Sequence, residues 1–308
     1  MRALACPASL KGVLGAVAAA AALAEGLRAG GADVVELPVA DGGEGTAEVL
    51  RRAGGGSWRE VVVPDAFGRA RPARWLELPD GTAVVEAAEA IPLDPSRLDP
   101  MRASSRGLGE LIAAAGRPAR LLVCLGGTAT VDGGAGLREV LRSLPAPTRV
   151  ACDSLVPLLD AARLYAPQKG AGPGQVTELG ARLAGMEELA PYAELPGAGA
   201  AGGLGAALAA LGAELVAGAA LVLDEIGFDP VGFDLVVTGE GQVDRTTATG
   251  KAPGEVARRC VAAGVRCVVF GGRVVEALPG VETVALSGDP SRAREDLVEL
   301  GLRLGRGA

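Results

Sequence analysis

Short apolar, β-branched runs alternate along the chain with Ala-, Leu- and Arg-rich stretches of helical period, the pattern of an α/β protein. Strands are predicted at Ala3–Cys6, Asp33–Leu37, Glu60–Val63, Ala83–Ala87, Leu121–Leu125, Arg149–Cys152, Leu235–Thr238, Arg266–Phe270 and Thr283–Leu286. Helices are predicted at Val13–Arg28, Gly45–Ala53, Ser105–Ala115, Gly133–Leu141, Gly174–Leu183, Gly202–Leu211, Pro253–Ala263 and Ser291–Leu304. The first two strand–helix units and the last three make one coherent parallel layer. Between them lies a more irregular block with proline at 64, 72, 92, 95 and 100. The economical arrangement is a parallel-sheet, Rossmann-like α/β domain formed from both chain ends, residues 1–58 and 234–308. A second α/β domain, residues 59–233, is inserted between them, with the active site expected in the cleft.

The Ala-rich run Val13–Ala24 follows Arg2 and superficially resembles a leader, but Pro7 and Lys11 interrupt the approach to it. It is also too short to span a bilayer, so strand, loop and helix is the better reading. The apolar stretch Leu208–Leu223 is broken by Glu214, and no membrane span is expected.

Composition removes whole classes of chemistry. The 308 residues include no His and no Asn, so Ser-His-Asp triads, Cys-His nucleophiles and His-bound zinc are excluded. A net charge of −7 argues against non-specific nucleic-acid binding. The five cysteines form no C-x-x-C pair and mostly sit in apolar runs, as reduced thiols of a cytoplasmic protein do.

Gly-rich segments bearing carboxylates recur where a strand gives way to a helix. Pro38–Thr46 (PVADGGEGT) places Asp41 and Glu44 across a double-Gly turn that opens a helix, where backbone amides can face an anion; a capped helix start is the competing reading. Leu125–Gly134 (LGGTATVDGG) offers Gly126 and Gly127, two threonine hydroxyls and Asp132, a phosphate-cradling composition without the Walker sequence; a plain tight turn is the competing reading. Gly197, Gly199 and Gly202 spell G-x-G-x-x-G, but Pro196 precedes them, which argues against a dinucleotide fingerprint directly after a central strand. Thr238–Asp244 (TGEGQVD) follows a predicted strand and leads to Lys251, while Asp153 and the pair Gln168–Lys169 lie in two further polar loops. Of 30 basic residues only Lys11, Lys169 and Lys251 are lysine, and each falls in one of these loops. A compact ammonium suits a phosphate or carboxylate in a tight site where a planar guanidinium does not fit.

In this order the segments PASLKG, PVADGGEGT, LGGTATVDGGAG, VACD, PQKGA, LPGAGAAGGLGA and DLVVTGEGQVD…TGKAP resemble the bacterial glycerate kinase family of the glycerate 2-kinase type, from the first strand to about Gly272. The resemblance implies ATP-dependent phosphorylation of D-glycerate, usually to 2-phosphoglycerate, with Mg²⁺, and a split α/β domain carrying an insertion. This sequence departs from the family pattern at Ala8, where an acidic residue is usual, at Val131, where Asn is usual, and at Val156-Pro157 in place of Asn-Pro.

On that reading Asp153 and Asp41 are candidate general bases, since no His is available. Lys11 and Lys169 would hold carboxylate or phosphate charge. The candidate substrate and phosphate ligands are Ser9, Gly42, Gly43, Glu44, Gly126, Gly127, Thr128, Gln168, Lys169, Gly202, Gly203 and Lys251. Asp132, Glu240 and Asp244 are candidate Mg²⁺ partners, because Mg²⁺ needs only one or two carboxylates besides phosphate. Small-molecule partners are expected, with no nucleic acid and no membrane; homo-oligomerisation stays open. Two other classes also stay open: an NAD-dependent oxidoreductase, if the 197–202 glycines follow a strand, and a catalytically lapsed, ligand-binding paralogue.

Overall fold

The structure, a computed structural model, describes residues 1–307. Among the described residues there are eleven strands: β1 (Arg2–Ala5), β2 (Asp33–Glu36), β3 (Ser57–Pro64), β4 (Ala70–Glu77), β5 (Thr82–Glu86), β6 (Arg120–Leu125), β7 (Thr148–Cys152), β8 (Glu214–Ala217), β9 (Leu235–Val243), β10 (Arg266–Val274) and β11 (Glu282–Ala285). They form two separate sheets, each within its own compact unit. Unit 1 comprises Met1–Asp41, Glu48–Ala53 and Ala219–Ala308; unit 2 comprises Gly42–Ala47 and Gly54–Gly218.

Unit 1 carries a wholly parallel sheet in the order β11-β10-β9-β1-β2, drawn from both chain ends as the hydrophobic pattern predicts. Its helices Ala16–Ala29 and Ala293–Gly305 pack through small residues. A Cβ on Gly26 would lie 2.0 Å from the Val298 carbonyl oxygen, and one on Gly301 would lie 2.4 Å from that of Leu23. This contact is the physical reason for the Ala/Gly-rich N-terminal helix: Ala19, Ala22, Leu23 and Leu27 are buried in a core with Leu297, Leu300 and Leu304. Strand order reverses between β1 and β9, so the loops after these two strands border a topological switch point, where open α/β sheets bind ligands.

Unit 2 has the order β3-β4-β5-β6-β7-β8, antiparallel through β3-β4-β5 and parallel from β5 to β8. The predicted strand Glu60–Val63 is longer and pairs with β4, which the sequence pattern does not reveal because Pro72 and two arginines interrupt its apolar positions. Pro72 is accommodated because β4 pairs with β5 only at Leu76 and Glu77, leaving its own position free of that ladder. The turn is set by Asp65, whose carboxylate accepts from the Phe67 and Arg69 amides. Within the stretch Leu208–Leu223 the chain folds as a helix end, the short strand β8 and the helix Gly218–Glu225. Among the described residues no helix is long and apolar enough to cross a membrane, and the five cysteines are buried and outside any disulfide.

Candidate active site

In unit 2 the carboxyl ends of β5, β6 and β7 deliver Glu86, the loop Gly126–Thr130 and Asp153. Strands stop here because glycine replaces β-branched residues after Leu125 and an acidic residue follows Cys152. Asp153 is exposed, and its carboxylate oxygen lies 3.3 Å from where a Gly126 Cβ would sit, so the carboxylate borders the Gly126 backbone. Lys169 arrives on the short 3-10 turn Pro167–Lys169 and is buried, with only 4% of its surface exposed. Its Nζ donates to the Thr130 carbonyl at 2.8 Å and to Thr128 Oγ1 at 3.4 Å. Burial pulls its pKa down to about 8, opposed by the negative charges of Asp153 and Asp132. Neither bonded partner of Lys169 is a carboxylate, and the buried Thr130 hydroxyl beside it has no partner.

The segment Gly42–Ala47 belongs to the same unit. Gly42 has φ +87°, and a Cβ there would meet Ala151 at 2.8 Å and Gly218 at 3.0 Å, so only glycine lets this loop lie so close. A Cβ on Gly126 would lie 2.6 Å from Gly43 Cα: the two Gly-rich loops touch backbone to backbone. Thr46 Oγ1 donates to the Gly43 carbonyl at 2.7 Å. The sequence offers the helix start to an external anion, with Asp41 and Glu44 as a capping pair. In the structure the anion is Glu86, whose Oε1 accepts from the Ala47 amide at 2.6 Å and whose Oε2 accepts from Gly45 at 3.3 Å. Burial pushes Glu86 up to about 7 against the lowering effect of these two amides, with Glu89 and Glu44 adding to the rise.

Unit 1 holds a second polar cluster, at the ends of β1 and β9. Glu240 Oε2 accepts from Lys251 at 3.1 Å and Oε1 from Thr247 Oγ1 at 2.7 Å. Burial raises the pKa of Glu240; Thr247 and Lys251 oppose that shift, while the charge of Asp41 adds to it. Asp244 accepts from Thr246, through hydroxyl and amide, and from Gln242, and these bonds hold its carboxyl down to about 2. Lys11 and Ser9 are exposed on the loop after β1, and the Lys11 backbone runs past Gly241. Ala8 donates its amide to the Gly239 carbonyl at 2.9 Å, tying this loop to β9.

The predicted residues therefore fall into two groups: Ser9, Lys11, Asp41, Glu240, Asp244 and Lys251 in unit 1, and the remainder in unit 2. Asp132 is filled from within the chain: its carboxylate accepts from the Ser105 amide and hydroxyl and from the amides of Gly134 and Gly136, at 2.7–3.2 Å. Gly202 and Gly203 are buried, and their amides donate to the Gly199 carbonyl. A Cβ on Gly202 would stand 2.2 Å from the Thr130 carbonyl, so this glycine serves close packing behind the Gly126–Thr130 loop. The G-x-G-x-x-G run follows the 3-10 turn Glu187–Tyr192 and not a strand, which removes the condition for a dinucleotide fingerprint. Gln168 is exposed beside Lys169. Val131 is buried in an apolar cluster with Leu158, Leu179 and Leu183, so the departure from Asn supplies core surface at that position. Glu86 escapes the sequence reading altogether. Its only signal is a lone carboxylate closing an otherwise apolar strand.

Comparison with known proteins gives consistent results. The glycerate kinase family matches the chain over residues 3–143 and 141–288. A glycerate 2-kinase of Escherichia coli K12 is 36% identical, covering 82% of this chain and 80% of its own. A glycerate kinase of Bacillus subtilis 168 is 35% identical, covering 84% and 81%. A crystal structure from Salmonella typhimurium LT2, of a protein assigned as glycerate kinase 2, superposes with a TM-score of 0.83 at 29% identity, covering 100% of this chain and 98% of the other.

Proposed function

The chain belongs to the glycerate kinase family, and from that premise we propose that it transfers the terminal phosphoryl group of ATP to D-glycerate, forming 2-phosphoglycerate. The observation that carries the reading on the chain itself is the group at the ends of β6 and β7. There, two touching Gly-rich loops, an exposed carboxylate (Asp153) and a buried lysine (Lys169) stand together. Phosphoryl transfer asks a protein mainly for positioning and charge neutralisation, and this group supplies both.

Asp153 accepts the proton of the glycerate hydroxyl as the phosphoryl group arrives, a role a carboxylate can take late in the transfer. Lys169, anchored on Thr130 and Thr128, presents fixed positive charge behind the Gly126–Gly127 turn. Gly42, Gly43, Glu44 and Gln168 line the substrate's approach. In unit 1, Lys11, Ser9 and Lys251 provide polar and positive groups for phosphate oxygens, and Asp41 reinforces the negative field at Glu240.

Glu240 and Asp244 offer only oxygen donors, as Mg²⁺ prefers, and the neighbouring Thr246 and Thr247 add hydroxyls. Among the described residues no three Asp, Glu, Cys or His side chains converge, so a cation held here would have to complete its shell with phosphate oxygens and water. Bound there, Mg²⁺ supplies charge neutralisation to the phosphates. Asp132 serves as the internal cap described above. Five buried cysteines outside any disulfide fit a cytoplasmic setting for this reaction.

The test is a coupled assay for ADP release from ATP and Mg²⁺ with D-glycerate, followed by identification of the phosphoglycerate isomer. Release that depends on D-glycerate is expected. Glycerate binding without turnover would make the chain a ligand-binding paralogue and refute the proposed activity.

A further inference from the structure

We propose that Glu86 is a positioning residue, which clamps the Gly42–Ala47 loop in its ligand-ready shape through the amides of Gly45 and Ala47. It touches no reacting group. The inference rests on the reading that Gly42–Glu44 and Gly126–Gly127 receive the substrate.

Glu86 has 6% of its surface exposed, and among the described residues its carboxylate meets no Lys or Arg. A buried carboxylate without a counter-cation is costly, and an apolar side chain would fill this position at the end of β5 at less cost. Its compensation is local: two backbone donors and the positive end of the helix Thr46–Gly54. The loop it holds has little other freedom, because Gly42 lies against Ala151 and Gly218, and Gly43 against Gly126. A shift of Gly45–Ala47 therefore passes through Gly43 to Gly126, the glycine beside Asp153. The charged groups facing Glu86 are Glu44 on the loop itself and Glu89 on the following helix, the latter bonded to Arg74 at 2.9 Å. The thiol of Cys124 belongs to the residue paired with Glu86 on β6. Both facing carboxylates add to burial in disfavouring the ionised form of Glu86.

The experiment compares wild type with Glu86→Gln, which preserves shape and one acceptor oxygen but offers an NH₂ group in place of the other. Backbone exchange at Gly45 and Ala47 is expected to accelerate at least about tenfold in the variant, with kcat/KM for D-glycerate falling by a similar factor, carried mainly by KM. Glu86→Asp, one methylene shorter, should fall between the two. Unchanged exchange at both amides together with kcat/KM within about twofold of wild type overturns the proposal. Faster exchange in a protein whose wild type shows no glycerate kinase activity upholds the clamp and removes only the substrate assignment. A variant that does not fold leaves the wild-type measurement decisive: protection of the two amides, corrected for intrinsic exchange, should fall between about pH 4.5 and about pH 7, because an opened loop returns Glu86 to water and to its ordinary pKa. A flat profile overturns the clamp.

Discussion

Glu86 also makes an unusual demand on stability. Its pKa rises from the ordinary 4.5 to about 7 because burial penalises the charged form. The folded state thus binds this proton more tightly than the unfolded state does. Between these two values the native chain carries more protons, and the unfolding free energy falls as pH rises, the reverse of a salt-bridged carboxylate. A shift of about 2.5 pH units at 1.36 kcal/mol each corresponds to about 3 kcal/mol lost between pH 4.5 and pH 7, with no further loss above. The chain contains no His, so no imidazole titrates in this window, and Glu240, also raised by burial, is common to wild type and variant and cancels in their difference. Glu86→Gln removes the slope, and its lost amide bond subtracts a pH-independent ~1 kcal/mol. The two tryptophans, Trp58 and Trp75, lie on β3 and β4, so fluorescence during urea unfolding reports on unit 2. Wild-type and variant stabilities measured this way from about pH 4 to about pH 8 should diverge by about 3 kcal/mol, the variant gaining relative to wild type as pH rises. A difference that stays constant across that range would refute the linkage reasoning.

Gly126→Ala places a methyl group 2.6 Å from Gly43 Cα, backbone that cannot rotate away. It should cost about 1–3 kcal/mol in urea unfolding and lower kcat/KM for D-glycerate; wild-type stability would mean that the two loops separate freely. Lys169 is held down to about 8, so wild-type kcat/KM should decline above that pH as the ammonium loses its charge. Lys169→Met should lack this basic limb and run roughly a hundredfold slower throughout, and a retained limb would assign it elsewhere. Asp153→Asn should cut kcat by about 10²-fold or more with the fold intact by circular dichroism, and an unaffected kcat removes it as the base. Asp132→Ala leaves four donors facing an empty space and should lower stability by about 2–3 kcal/mol in the same urea assay; an unchanged midpoint would contradict its role as an internal cap.

Much of the scaffold was legible because it is local. The runs that became β2, β9 and β10 declare themselves by paired valines, β1 and β6 by unbroken apolar residues, and the loops after them by glycine. Strand β4 was hidden because its apolar positions are separated by Pro72 and arginine, one of which, Arg74, covers Trp58 at 4.0 Å. The short β8 was hidden inside an apolar stretch whose helical and extended readings are equally good on pattern alone.

For the candidate site, residue chemistry pointed to Asp153, Lys169 and the Gly126–Gly127 turn, since lysine in an Arg-rich chain and glycine beside carboxylates are visible one residue at a time. What each group touches was not visible. Asp132 reads as a free carboxylate, yet the fold places Ser105 and two amides around it; Gly202 reads as a phosphate amide, yet Thr130 packs against its Cα face. Glu86 reads as a strand residue, yet it closes a helix that begins 40 residues earlier. The sequence by itself determined the alternation of elements, the absence of histidine chemistry and the loops rich in glycine and lysine. Only tertiary structure decided which carboxylates face solvent and which are consumed, because desolvation and hydrogen bonding depend on partners that the chain brings together from distant positions.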